Sequence, residues 1–253
     1  MKLLHLSTRR QQLVTGLAVA ALIAATAYGV YLAVSPRDGQ APFFQGAPVS
    51  TTKPNSPAPN PASTYPLHRD IITTVFWVGE DATEDNKQIQ NRDSTWVVGW
   101  MDRFGGVDDP EKRCGYQPCG FAPKENTFYF ALAYNDLNED GSRKASANQI
   151  PWNDQGPSAS DSKSFVKNRW IKVTHGGKTA YAQWEDAGPY GEDDANYVFG
   201  DENAKPAAPE AGLDLSPSAA NYLGIDGRSK ADWQFVEEAD VPAGPWRDRI
   251  TRY

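Results

Sequence analysis

Three histidines, two cysteines and 32 carboxylates bound the chemistry open to this chain of 253 residues. His5 lies in a basic lead, His68 beside a proline-rich tract and His175 ahead of two glycines, and no Gly-x-Ser-x-Gly elbow occurs. A Ser-His-Asp or Cys-His hydrolase and a histidine-rich metal catalyst therefore lack their parts. Carboxylates and aromatic rings remain. Asp136-Leu137-Asn138-Glu139-Asp140-Gly141 has the alternate oxygens and the glycine of a calcium loop's first half. Lys144 and Ala147 stand where the ninth and twelfth positions need ligands, so a hairpin turn is expected there and no metal is assigned. A second acidic run, Gly191-Glu192-Asp193-Asp194 with Asp201 and Glu202, reads as a solvated loop or a weak calcium site. Cys114-Gly115-Tyr116-Gln117-Pro118-Cys119 is expected to close as a local disulfide outside the cytoplasm, free thiols being the alternative.

The elements that must position these groups are mostly strands. Ile71 to Val78, Ser94 to Met101 and Thr127 to Tyr134 are short runs of β-branched and aromatic residues, each bounded by Gly, Asp, Asn or Pro. Arg169 to Thr174 and Lys178 to Asp186 flank His175-Gly176-Gly177, whose glycines suit a tight hairpin. Alternation along the second arm sets Ala182, Trp184 and Asp186 on one face and Tyr181, Gln183 and Glu185 on the other. Ser216-Pro217 to Leu223-Gly224 carries a helix's cap, first-position proline and closing glycine, and Asp232 to Glu237 supplies a last strand. Short strands with one short helix predict a small closed barrel over residues 67–253, with residues 79–125 as a long insertion, lid or scaffold.

What precedes the domain points to a membrane. Lys2, Arg9 and Arg10 lead into an uncharged stretch of 22 residues, 13–34, which at about 1.5 Å per residue crosses a bilayer core of roughly 30 Å. It reads as a signal-anchor, or as a signal peptide cut near Ala25-Thr26-Ala27. Residues 1–12 are then cytoplasmic and the domain lies outside, periplasmic or extracellular. Residues 35–66, with Ser56-Pro57-Ala58-Pro59-Asn60-Pro61, form a Pro/Ser/Thr-rich spacer. Residues 1–66 carry five basic side chains against Asp38, +4, so 67–253 carry −7 − 4 = −11. That charge repels phosphate backbones and excludes a nucleic-acid groove, and no Gly-rich nucleotide loop is present.

Trp184-Glu185-Asp186-Ala187-Gly188-Pro189-Tyr190 is followed by Leu213-Asp214-Leu215-Ser216-Pro217-Ser218-Ala219-Ala220 and then Leu223-Gly224. This pair of segments resembles the double-psi β-barrel group that includes rare lipoprotein A, expansins and glycoside hydrolase family 45. There a strand ending in Asp-x-Gly-Pro-aromatic precedes an Asp-Leu-Ser segment that opens a short helix. The resemblance covers Trp170 to Glu237, with Ser94-Thr95-Trp96 at the place of the family's first strand. It implies a mainly β, six-stranded double-psi barrel with one or two short helices. It also implies that Asp186 matches the catalytic Asp of the lytic transglycosylases and Asp214 the acidic residue of the sugar groove. Asp102, in Gly99-Trp100-Met101-Asp102, is placed by the same resemblance near the cellulases' base, with Trp184, Tyr190 and Trp96 as sugar platforms. The histidine that the lytic enzymes hold before the barrel strand has no counterpart in register, because His175 lies in the turn.

Three functions compete on this reading. One is a tethered wall-polysaccharide enzyme, a glycoside hydrolase or lytic transglycosylase without cofactor, in which Asp214 donates a proton and Asp186 or Asp102 orients substrate or water. Another is an expansin-like module that binds polysaccharide or peptidoglycan without cleaving it. The last is a structural or protein-interaction domain in which Asp186 accepts backbone N–H bonds at a turn and Asp214 assists a helix cap.

Overall fold

The structure is a computed structural model and describes residues 64–253 apart from 85, 157 and 159–161. The expected span 13–34 and the spacer up to residue 63 lie outside the described residues. Among the described residues no helix is long and apolar enough to cross a membrane. Tyr65, just ahead of the expected domain start, already packs edge-on against Trp152 and Phe235.

In chain order the elements are β1 (His68–Val75), α1 (Trp100–Phe104), β2 (Arg113–Cys114), β3 (Gln117–Pro118) and β4 (Tyr129–Leu132). Then follow β5 (Trp170–His175), β6 (Lys178–Ala187), α2 (Ala195–Val198), β7 (Leu213–Leu215), α3 (Pro217–Leu223) and β8 (Ser229–Val236). Six strands close a barrel in the order β1-β7-β4-β6-β5-β8, while β2 and β3 form a separate small hairpin. β1 and β7 run parallel, as do β4 and β6, and the other pairings are antiparallel. The expected closed, mainly β barrel with short helices is thus observed. The sequence presents Leu213-Asp214-Leu215 only as the lead into a helix, yet it pairs on both sides and completes the wall.

Period-two alternation builds the interior. Ile171 and Val173 of β5, Ala180, Ala182 and Trp184 of β6, and Ala231, Trp233 and Phe235 of β8 enter one core with Phe130, Leu132, Leu213 and Leu215. The β5–β6 hairpin turns at Gly176 and Gly177, with φ of 55° and 79°, after His175 has paired with Lys178. Both positions need a left-handed backbone, which glycine adopts without steric cost. α3 is built as its residues require. Ser216 Oγ accepts from the Ala219 N–H at 3.2 Å, and Gly224 at φ 80° closes the helix.

The segment after β1 corrects the sequence reading. Ser94 to Met101 is no strand and does not open the barrel: Ser94 and Val97 make a single bridge, and α1 follows. Val97, Trp100 and Phe104 recur at helical spacing and pack with Phe76, Val78, Tyr129 and Ala131 in a second core. That core lies on the face of β4 opposite Phe130 and Leu132, so the insertion is scaffold for the outer wall. Arg113 ties it down, pairing with buried Asp108 and donating to Ser218 Oγ at 2.6 Å, while Tyr129 donates to the same Asp108 at 2.9 Å. Cys114 and Cys119 are joined in a disulfide across the β2–β3 hairpin.

Candidate active site

The register of β4 brings together two carboxylates that lie 28 positions apart in the chain. Ala131 pairs with Asp186 of β6 on one side and with Asp214 of β7 on the other, and Asp214 pairs in turn with Thr74 of β1. A row Thr74, Asp214, Ala131, Asp186 therefore runs across four neighbouring strands, and cross-strand partners share a face. Ala131 belongs to the outer core, so the row faces out of the barrel.

Asp186 reaches that row through a bulge. Phe130 pairs with Trp184 but Ala131 pairs with Asp186, so two residues of β6 oppose one of β4 and Glu185 is the extra residue. The strict alternation expected for Ala182, Trp184 and Asp186 therefore stops at Trp184, and the bulge re-aims the carboxylate. Asp186 Oδ1 accepts the N–H of Thr95 at 2.8 Å and that of Ala187 at 2.9 Å. Burial pushes its pKa up to about 7 against these bonds, with the nearby Glu192 charge adding to the rise.

Asp214 is half-buried and accepts the hydroxyl hydrogen of Thr74. Its pKa is also raised to about 7, first by desolvation and then by the charges of Glu80 and Asp186, with the Thr74 bond opposing. It does not cap α3, since Ser216 does so. Glu80 is the site residue that sequence reasoning missed. It is buried, and its two oxygens accept the amides of Asn86 at 3.0 Å and Asn91 at 2.9 Å. Burial raises its pKa too. Gly79, at φ 76°, turns the chain just before it.

The remaining candidates separate. Asp102 is exposed on α1 and makes no hydrogen bond or ion pair with Asp186 or Asp214, so the structure leaves it out of the row. Trp184 is wholly buried, its ring stacked between Phe130 at 5.7 Å and Phe235 at 5.8 Å. It is a core ring with no face for a ligand, and its indole N–H supports the site by donating to the Asp186 carbonyl at 2.8 Å. Trp96 is half-buried, donates to Asn135 Oδ1 at 2.9 Å and lines a cleft of about 1560 Å³ that also includes Thr95 but neither Asp186 nor Asp214. Tyr190 is 37% exposed, with the Lys87 ammonium 4.0 Å from its ring centroid.

The acidic loops have other occupations. Asp136 is buried and takes Arg143, the Ser164 hydroxyl at 2.6 Å and the Phe165 N–H at 2.7 Å, so this stretch is a braced turn. Asp194 caps α2, and Asp193 pairs with Lys144 at 2.7 Å. Among the described residues no group of three or more His, Cys, Asp or Glu is arranged to hold a metal ion.

Burial raises the pKa of both carboxyls to about 7, and the Asp186 charge adds to the rise at Asp214. The row can therefore donate a proton on one side of Ala131 and accept one on the other. No protein-family model matches the chain, and no curated protein matches it.

Proposed function

We propose that residues 64–253 form a double-psi β-barrel that cleaves a cell-wall polysaccharide outside the cytoplasm, tethered by residues 13–34. The observation that carries this reading is the placement of Asp186 and Asp214 on either side of Ala131. Two interstrand steps of about 4.8 Å set their Cα atoms roughly 10 Å apart on one face of the wall. Asp214, held protonated by burial and by the Glu80 charge, donates to the leaving oxygen. Asp186, supported by two backbone N–H groups that favour its ionised form, activates the water. The closed six-stranded wall with two parallel pairs is compatible with the double-psi topology. The disulfide fits an oxidising compartment.

The test is a product assay on the full chain with peptidoglycan and with β-1,4-glucans, read by mass spectrometry beside Asp214→Asn and Asp186→Asn. Fragments released by the wild type and lost in both variants establish cleavage, and their ends distinguish hydrolysis from lytic elimination. Retention on insoluble glycan without fragments replaces cleavage with expansin-like binding. Neither signal sinks both and leaves a structural or protein-interaction module.

A further inference from the structure

On segments adjoining the carboxylates in sequence, one exposed lysine sits between an aromatic ring and a carboxylate. Lys87 Nζ lies 4.0 Å from the centroid of the Tyr190 ring and 3.7 Å from Glu210 Oε1. Tyr190 follows Asp186 by four positions, Glu210 precedes Asp214 by four, and Lys87 follows Glu80 by seven. A single ammonium thus bridges the three loops that leave the three carboxylates. The side chains of Lys87 and Glu210 are 57% and 49% exposed, so a solute can reach both contacts. An aromatic face with a carboxylate at its edge is a receptor for an ammonium group, which it holds by the ring quadrupole and by charge. A neutral sugar ring or an acetamide competes poorly for it, because neither carries the charge that both partners select.

We propose that Tyr190 and Glu210 form a subsite for the ammonium of an amino sugar, that Lys87 fills it in the free protein, and that the ligand is a glycan bearing unacetylated amino groups. The inference rests on the polysaccharide reading above and names its substrate class. Charge agrees with it: the region 67–253 carries −11 and draws a cationic chain toward it. Lys87 acts as an internal competitor whose two exposed contacts exchange readily with ligand.

The test measures binding to the full chain by calorimetry, using β-1,4-linked glucosamine hexamer and its N-acetylated counterpart at low and high salt. The glucosamine hexamer is expected to bind more tightly. Lys87→Met should tighten it about fivefold, the competitor's two weak contacts being lost, and leave the acetylated hexamer unchanged. Glu210→Gln should abolish the preference. Both residues are exposed, and unchanged thermal midpoints confirm that the variants fold. Equal binding of the two hexamers overturns the inference and leaves the polysaccharide reading standing. A preference that persists in Glu210→Gln and does not move in Lys87→Met is general charge attraction and overturns it as well. Binding of neither hexamer counts against both proposals.

Discussion

Asp186 shows how a buried carboxylate costs stability. In the fold its pKa is about 7 against 3.8 for the free side chain, so the native state holds the proton more tightly than the unfolded chain. The resulting stability is complete below about pH 3.8 and is lost as pH rises through 7. Asp186→Asn keeps an oxygen for the N–H groups of Thr95 and Ala187 but removes the buried charge. At pH 8 this variant should be more stable than wild type by the order of 3 kcal/mol, with little difference at pH 4, in urea unfolding at both values. It should be inactive in the product assay. Glu80→Gln tests a positioning role in a different way. Removing a negative neighbour lets Asp214 lose its proton at lower pH, so the alkaline limb of the cleavage profile should move down. An unmoved limb would separate Glu80 from the proton donor.

At the scale of elements, Ser216 joins two structures through one oxygen. Its Oγ accepts the Ala219 N–H that opens α3 and, also at 3.2 Å, the Tyr129 N–H at the start of β4. Ser216→Ala orphans a buried strand donor as well as a helix donor, and should cost about 2–3 kcal/mol, above an ordinary cap. A lower urea midpoint with an unchanged slope is the readout. The insertion depends on a buried ion pair in the same way. Arg113→Met leaves the buried Asp108 carboxyl without its cation and with Tyr129 as its remaining donor, and should cost about 3–5 kcal/mol. The neighbouring disulfide closes a loop of five positions and should contribute only about 2 kcal/mol. Cys114→Ser with Cys119→Ser should therefore lower the thermal midpoint less than Arg113→Met does.

For the whole molecule, opposing titrations shape stability against pH. Glu185, Asp186 and Asp214 each have a pKa of about 7, raised mainly by burial, so acidification from pH 8 toward 5 stabilises the fold. His68 opposes them. It is 1% exposed, stacked at 4.2 Å on Trp233, and its pKa falls from 6.5 to about 4 through desolvation and the Lys205 charge. Its stability is present above 6.5 and is lost toward 4, by about 3 kcal/mol. Between pH 7 and about 4.5 the three carboxyls outweigh the one imidazole, so thermal midpoints should rise as pH falls through that range, less steeply below 6.5. His68→Phe, which keeps the stacking, should steepen the rise below pH 6.5.

Much of this was legible from local order. The β5–β6 hairpin, the capped helix α3, the Cys114–Cys119 bridge and the barrel class follow from glycines, alternation, caps and spacing, all properties of neighbouring residues. The segment at Val97, Trp100 and Phe104 was misread because an apolar run of that length satisfies strand and helix periods alike, and only its packing against β4 selects the helix. The site was half legible: Asp186 and Asp214 stand in motifs, but their meeting across Ala131 depends on strands distant in the chain, and Asp186 faces the row only through a bulge. Trp184 looked like a platform because composition cannot tell a buried ring from an exposed one. Glu80 and the Lys87 bridge carried no motif at all. Local sequence determined the elements and their caps, because those bonds close within a few residues; tertiary structure alone decided which carboxylates share a face, because long-range strand register sets their neighbours and their burial.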